Sequence, residues 1–587
     1  RPQQGHPWHG LIDAIGQRVP REVRAGHKIR ATHRRIGPHD LLFVMDAPRG
    51  TVAEFRATGK AELWDPWTGT TRPLQVTEAQ ADRTSVVLPL EAYEAQIVVF
   101  TPGEPHQNPA PISNETMPTE TIALDGDWEF ELVPTMDNRF GDFRLPITEK
   151  MIGPEARIFR HALETESQQA CHTPQLDDGD WEQVTHGYGR QFWILGPMPA
   201  DASTDPLTRR LADLPRIDPA QPVAVGDKEY HWQPYAFSWR WGREGDPGHQ
   251  GYHGLKHQVS DHFLCLGRPE SGYNETKYVA DPAGERYFLW TSVTLPEKLA
   301  VRMLASRSDS GPAPHASNVL TPAALFVNGN PVGDLSAPVA MEQGCNPILV
   351  RFDRAGRGYF VVRQDRPEFQ APASERTPLA MRWLDDPAVI RFDPHAGAAQ
   401  AEWFRFTAPP GLQSMRLEAM GAVEAWADGT PMRAGENGLF SAATPLPHAA
   451  KVALRIEPAV GFTGGAVIPE QIRIACGPGK ATLGDWSQQG VLENYSGGAW
   501  YRTTVHLTAA QAAAEVAIDL GNVVATAEVR VNGQPAGTRV APPWRVDLSG
   551  RLEPGANRIE VLVYNTLANH YRTIPTRYRG QLTSGLL

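Results

Sequence analysis

The stretch Ala527–Asn565, AEVRVNGQPAGTRVAPPWRVDLSGRLEPGANRIEVLVYN, decides the fold class. Ala527, Val529 and Val531 alternate with Glu528 and Arg530, the period-two pattern of a half-buried strand. Asn532-Gly533 follows directly, and this dipeptide accepts the positive φ angles of a type I′ hairpin turn. A loop leads to Gly555-Ala556-Asn557, after which Ile559, Val561 and Val563 share one face of a second strand.

The same pattern occurs twice upstream. Leu325-Phe326-Val327-Asn328-Gly329 is followed by Gly344-Cys345-Asn346-Pro347-Ile348-Leu349-Val350. A degenerate copy reads Val423-Glu424-Ala425-Trp426-Ala427-Asp428-Gly429, then Val452-Ala453-Leu454-Arg455-Ile456. Aromatic strand openers precede the copies at Tyr287-Phe288-Leu289-Trp290, Trp403-Phe404-Arg405-Phe406 and Trp500-Tyr501-Arg502. A repeated supersecondary unit predicts a mainly β protein, with several antiparallel β-sandwich domains in series.

Composition agrees. The chain has 587 residues, enough for several domains, and 53 Gly with 52 Pro are too many for a mostly helical protein. Sixteen Trp and fourteen Tyr supply flat apolar faces with polar edges; they suit sugar stacking and equally suit sandwich cores. A formal charge of −11, with no basic run beyond Arg30–Arg35, argues against a nucleic-acid partner. No apolar run approaches the roughly 20 residues of a membrane-spanning helix. Cys171, Cys265, Cys345 and Cys476 are too scattered for a zinc spacing. Cys265 and Cys345 sit in apolar strand patterns and read as buried thiols, with a disulfide left open.

In chain order, Trp8–Gly16 reads as a helix, and residues 36–103 as a small β-sandwich built on Leu41–Val44, Thr51–Thr58, Ala61–Trp64, Thr84–Leu90 and Ala95–Phe100. Residues 104–120 read as a linker. A larger sandwich with a long loop insertion is expected over 121–385, including a Pro/Asp-rich excursion at Ala200–Asp227. A further sandwich follows over 386–488 and a last one over 489–587, with helical turns at Thr508–Glu515.

Four stretches carry a resemblance: Ala61-Glu62-Leu63-Trp64-Asp65-Pro66-Trp67-Thr68-Gly69, Leu124–Phe130, Tyr495-Ser496-Gly497-Gly498-Ala499-Trp500-Tyr501-Arg502, and the final Asn-Gly/Gly-Ala-Asn strand pair. Together the chain resembles the C-terminal half of glycoside hydrolase family 106, the α-L-rhamnosidase-like enzymes. The last two stretches also resemble the galactose-binding-like jelly roll of the family 2 β-galactosidases. The resemblance implies a (β/α)8 barrel upstream that carries two catalytic glutamates for inversion, a calcium ion in the active site, a rhamnose-containing oligo- or polysaccharide as substrate, and a periplasmic or extracellular bacterial location. Nothing in the chain reads as eight alternating strands and helices. Residues 1–35 are then the tail of a truncated catalytic domain, the sandwiches pack against the missing barrel, and no catalytic residue is carried over. The alternatives are a non-catalytic carbohydrate-binding or cell-surface β-sandwich array, and the accessory domains of a family 2-like β-galactosidase or glucuronidase.

Chemistry within the chain itself has few candidates. An inverting glycosidase needs two carboxyls roughly 6.5–9.5 Å apart, and spacing alone cannot choose a pair from 67 acidic residues. Glu285, Asp485 and Glu493 lie near loop ends and read as structural. GxSxG, HExxH and P-loop motifs are absent. In Met136–Pro146, Asp137, Asn138 and Asp142 surround a Gly turn and offer oxygen ligands for calcium; an Asx-turn loop without metal explains the same residues. The binding candidate is Phe237–His262. There Trp239 and Trp241 alternate along a strand, while His249, Tyr252 and His253 lie in a Gly-rich loop of hydrogen-bond donors. A sugar site needs both features, and an insertion that packs on a neighbouring domain would show them too. His249, His253 and His257 have helical spacing, but Gly248, Gly251 and Gly254 make a helical zinc site improbable.

Overall fold

The computed structural model describes residues 15, 18–104 (except 27–28, 48–49, 68 and 89–93), 120–136, 151–236 (except 166–169 and 187–189), 263–367 (except 270–277 and 306–319) and 389–572 (except 397–399, 460–467 and 469). Of the described residues, 53% are in strand and 6% in helix, so the mainly β architecture of serial antiparallel sandwiches holds. The chain divides into two units, residues 1–126 with 501–565 and residues 127–500 with 566–587.

The first unit contains the small sandwich. One sheet orders Val23–Ala25, Thr51–Phe55, Thr84–Leu88 and Val76–Ala79. The other orders Arg30–Ile36, His39–Met45, Ala95–Thr101, Lys60–Trp64 and Thr71–Pro73. Leu42, Val44, Phe55, Leu63, Val86, Val98 and Phe100 fill the space between them. The basic cluster Arg30–Arg35 is thus an edge strand. The same unit holds the hairpin Thr526–Val531/Gln534–Arg539, which pairs on its other side with Gly555–Tyr564. Ala509–Ala512 forms the expected helical turn, closed by a capping box between Thr508 and Gln511.

The second unit departs from the order of modules read along the chain. Residues 127–185, expected within a domain running 121–385, pair instead with the later chain. Glu155–Ala156 joins Ile472–Cys476, and Ile158–Leu163 joins Glu402–Ala408. The resulting sandwich, here the host, has two sheets around Phe159, Phe404, Phe406, Met415, Leu454 and Ile474. Between its halves lies a second sandwich, the insert. One of its sheets orders Gln233–Tyr235, Phe192–Met198, Arg286–Leu295, Gly344–Phe352, Ala324–Val327 and Asn330–Pro331. The opposite sheet is built on Phe263–Leu266, Gly356–Gln364, Leu299–Ala305 and Val339–Met341. Strand alternation is a local signal and says nothing about which distant strand completes a sheet.

A second difference is the helix Asp205–Ala212, inside the stretch read as a Pro/Asp-rich excursion. Pro206 sits in the first turn, where its missing N–H costs nothing, and Asp205 favours the positive end of the helix dipole. Leu207 and Leu211 pack with Phe288, Trp290 and Leu349 of the sheet below. The helix therefore covers the second face of Arg286–Leu295, which explains why Tyr287, Phe288, Leu289 and Trp290 are all buried. Asp205 and Asp353 neutralise the buried Arg286 beneath the helix, at 2.7 and 2.8 Å.

The repeat has a shared internal geometry. Asn532-Gly533, Asn328-Gly329 and Asp428-Gly429 all have positive φ at both residues, as a type I′ turn requires. In two copies a buried asparagine locks the turn to the next strand. Asn557 Nδ2 donates to the carbonyls of Glu553 and Gly555, while its Oδ1 accepts from Glu553 N and Asn532 Nδ2. Asn346 repeats each bond with Glu342, Gly344 and Asn328. In the degenerate copy Ala450 stands at that place, and Asp428 bonds Lys451 twice: its Oδ1 accepts the Lys451 N–H, and its own backbone N–H donates to the Lys451 carbonyl.

All four cysteines are free. Cys345, expected to be buried, is exposed. It precedes the inward-facing Asn346, and side chains alternate along a strand, so it points outward. The helix expected at Trp8–Gly16 lies outside the described residues apart from Ile15.

Candidate functional site

Trp239, Trp241, His249, Tyr252 and His253 lie outside the described residues, as do Asp137, Asn138 and Asp142. The structure does describe the frame from which the Trp/His segment emerges. Gln233–Tyr235 precedes it and Phe263–Leu266 follows it, on opposite sheets of the insert. The Tyr235 hydroxyl ties these stems together: it accepts the Cys265 N–H at 2.8 Å and donates to the Cys265 carbonyl at 3.0 Å. Burial raises the Tyr235 hydroxyl well above its ordinary pKa, so it stays protonated and keeps both bonds.

Aromatic packing stiffens this mouth. Phe392 meets Phe192 at 5.0 Å and stacks on Phe360 at 5.6 Å, and Phe192 also contacts Tyr235. The stem at Phe263 and the strand end at Ala305 pair with neighbouring residues, Tyr359 and Phe360, on either side of one strand. Phe263 and Ala305, the described residues next to 237–262 and 306–319, thus flank one strand beside this aromatic packing.

A second cluster sits where the chain passes between host and insert. His161 Nε2 bonds Glu402 Oε2 at 2.6 Å, and both side chains are buried. His161 Nδ1 lies 3.9 Å from Glu182, which also pairs with Arg190 on the outgoing connection. On the return, Ser292 and Asp393 exchange two backbone hydrogen bonds, and Trp193 Nε1 donates to Pro394 O at 3.0 Å. His395 packs edge-on against Trp193, and burial holds its imidazole below the ordinary histidine range. The His161–Glu402 pair is thus a buried hydrogen-bonded contact between two paired strands.

Other acidic side chains are similarly engaged. Asp485 accepts the Ser487 N–H at 2.8 Å and caps a short turn, the structural role expected of it. Glu155 pairs with buried Arg157, Asp178 with buried Arg405 and Asp365 with Arg302. Among the described residues, no group of three or more His, Cys, Asp or Glu side chains is placed to hold a metal ion. Among them too, no helix is long and apolar enough to cross a membrane. Sequence reasoning missed the Tyr235–Cys265 clamp and the His161–Glu402 pair, because each joins residues whose proximity only strand pairing creates.

No family model matches the chain. Over 80 residues it is 34% identical to a protein of Formosa agariphila provisionally named a beta-glucuronidase, covering 13% of this chain and 7% of that protein. Among solved structures, a rhamnosidase from Novosphingobium sp. PP1Y aligns with 95% of this chain and 22% of its own, at 12% identity and a TM-score of 0.25. An alpha-L-rhamnosidase from Streptomyces avermitilis, complexed with L-rhamnose, aligns with 92% of this chain and 57% of its own, at 11% identity and a TM-score of 0.12. The chain therefore spans well under two thirds of each of these proteins.

Proposed function

We propose that this chain is the ancillary β-sandwich portion of a carbohydrate-degrading glycoside hydrolase. The observation that carries the reading is the 80-residue similarity to a protein named for glycoside hydrolysis, in a chain built of serial sandwiches. The finer assignment, cleavage of terminal α-L-rhamnosyl linkages, is supported by the four sequence stretches that resemble family 106. In this reading the inverting pair of carboxylates lies on a barrel upstream, and the sandwiches buttress it. The rigid mouth of the insert then holds Trp239, Trp241, His249, Tyr252 and His253 toward the saccharide. Trp and Tyr faces would stack on pyranose rings, while the histidines hydrogen-bond hydroxyls.

A second reading has its own support. The name of the Formosa protein favours the accessory domains of a β-glucuronidase. The two readings separate on substrate. The full-length gene product should release nitrophenol from 4-nitrophenyl α-L-rhamnoside and leave the β-D-glucuronide intact, and the opposite selectivity selects the second reading. The 587-residue chain alone should hydrolyse neither. Turnover by the chain alone would move the catalytic pair into the sandwiches, and a full-length product inactive on every aryl glycoside would sink both readings.

A further inference from the structure

The face of the host sheet that points away from its core bears a second cluster of aromatic and charged groups, far in sequence from the Trp/His segment. Trp403, Arg455 and Glu424 lie side by side across three strands, because Trp403 pairs with Arg455 and Arg455 with Glu424. Trp426 sits one row along, opposite Ala453. Arg455 is the centre of a fan of carboxylates: Glu164 at 2.5 Å, Glu457 at 2.7 Å and Glu424 at 3.3 Å. Glu424 and Glu457 are 61% and 59% exposed, so this end of the face is open to solvent.

The other end is walled. Arg405, buried on the same face, donates to the carbonyls of Cys171 and Thr173 and pairs with Asp178, which pulls the segment 171–178 over the sheet. That segment brings His172 into a stack on Trp426 at 5.2 Å, and Trp426 in turn lies 5.3 Å from Trp403. Trp426 is half-buried, held from two sides, and stands at the border between the wall and the charged fan. Holding an indole this way removes the rotamer entropy that binding would otherwise cost.

We propose that this face is a saccharide-binding site, separate from the Trp/His segment, that takes a neutral pyranoside. The proposal rests on the reading of the protein as part of a glycan-degrading enzyme. The half-buried Trp426, with its indole between His172 and Trp403, offers an apolar edge beside an ordered comb of carboxylates and a guanidinium. A pyranose matches both: its C–H groups meet the indole edge, and its vicinal hydroxyls donate to the carboxylates and accept from Arg455. At the open end, three carboxylates surround the single guanidinium of Arg455 and leave the local charge negative, which disfavours uronic acids and sulfated sugars there.

The test uses the whole 587-residue chain in titration calorimetry with a neutral rhamnose-containing oligosaccharide, and with oligogalacturonate as the acidic comparator. The neutral probe should bind and the acidic one should not. W426A should weaken binding at least ten-fold. The double variant E424Q/E457Q should do the same with an unchanged thermal melt, which separates lost binding from lost folding. Absence of binding to the neutral probe, or affinity unchanged in both variants, overturns the proposal. The glycosidase reading is judged apart from this, by aryl-glycoside hydrolysis with the full-length product, so the failure of one is not mistaken for failure of the other.

Discussion

Asn557 shows how one residue can carry a turn. Its side chain is fully buried and makes four hydrogen bonds, two donated and two accepted. Asn557→Ala leaves the groups at Glu553 and Gly555 without these partners, and unsatisfied buried groups cost about 1–3 kcal/mol each. The expected loss is about 3 kcal/mol after relaxation, read as a drop in denaturation midpoint. The degenerate copy suggests a partial rescue. There Ala450 faces Asp428, which has no amide to leave unpaired. Adding Asn532→Asp to Asn557→Ala should therefore cost less than the sum of the two single changes, and strict additivity would refute the coupling. The Asn-Gly and Gly-x-Asn signals were legible in the sequence because each turn is built within a few residues. The bond between Asn532 and Asn557 was not, since it closes a loop between two strands.

At the scale of elements, the clamp between Tyr235 and Cys265 decides how firmly the mouth of the insert is held. Tyr235→Phe keeps the ring against Phe192 and removes only the hydroxyl, so Cys265 N–H and C=O lose their bonds. We expect about 1–2 kcal/mol of destabilisation, with faster amide exchange confined to 263–266 and the strands beside it. Unchanged exchange there would show that the aromatic base alone fixes the stems. The helix Asp205–Ala212 is instructive in the other direction. Thr204-Asp205-Pro206, with Leu207 and Leu211 four residues apart, is a local helix-start signal. Its Pro and Asp content points equally to an irregular excursion, and only the doubly buried strand beneath shows why a helix is needed.

At the scale of the molecule, the insert has its own core. Phe192, Leu289, Val301, Ile348, Val350, Phe360 and Phe392 form a continuous cluster between its two sheets. A fragment covering 190–396 should therefore fold alone, with a cooperative thermal transition and dispersed amide resonances; a molten fragment would show that the host completes it. The unit that holds host and insert should also be sensitive to mild acid. Burial lowers His395 and His186 below the ordinary value of 6.5; around His395, Glu402 and Asp393 act to raise it, while Arg190 and Arg216 lower it further. The unfolded chain then takes up protons before the folded one. Stability is level above about pH 7 and falls as pH drops below 6.5, until the folded histidines also titrate. Denaturation midpoints at pH 7.5 and 5.5 should differ, and His395→Gln with His186→Gln should shrink the difference. An equal loss in that double variant would assign the acid sensitivity elsewhere.

The sequence by itself determined that the protein is a series of antiparallel sandwiches, because alternation and tight turns are properties of neighbouring residues. It also determined the hairpin positions, the helical turn after Thr508 and five of the nine strands of the small sandwich; it missed Thr71–Pro73 and Val76–Ala79, and it read Val23–Ala25 and Arg30–Ile36 as part of a preceding domain. Only the tertiary structure decided that residues 155–185 complete a sheet with 402–476 around an inserted sandwich. Strands with the same alternation are interchangeable until a core selects among them. The same holds for Tyr235 with Cys265, His161 with Glu402, and the Trp403–Trp426–Arg455 face, where chemistry arises between residues that only strand register brings together.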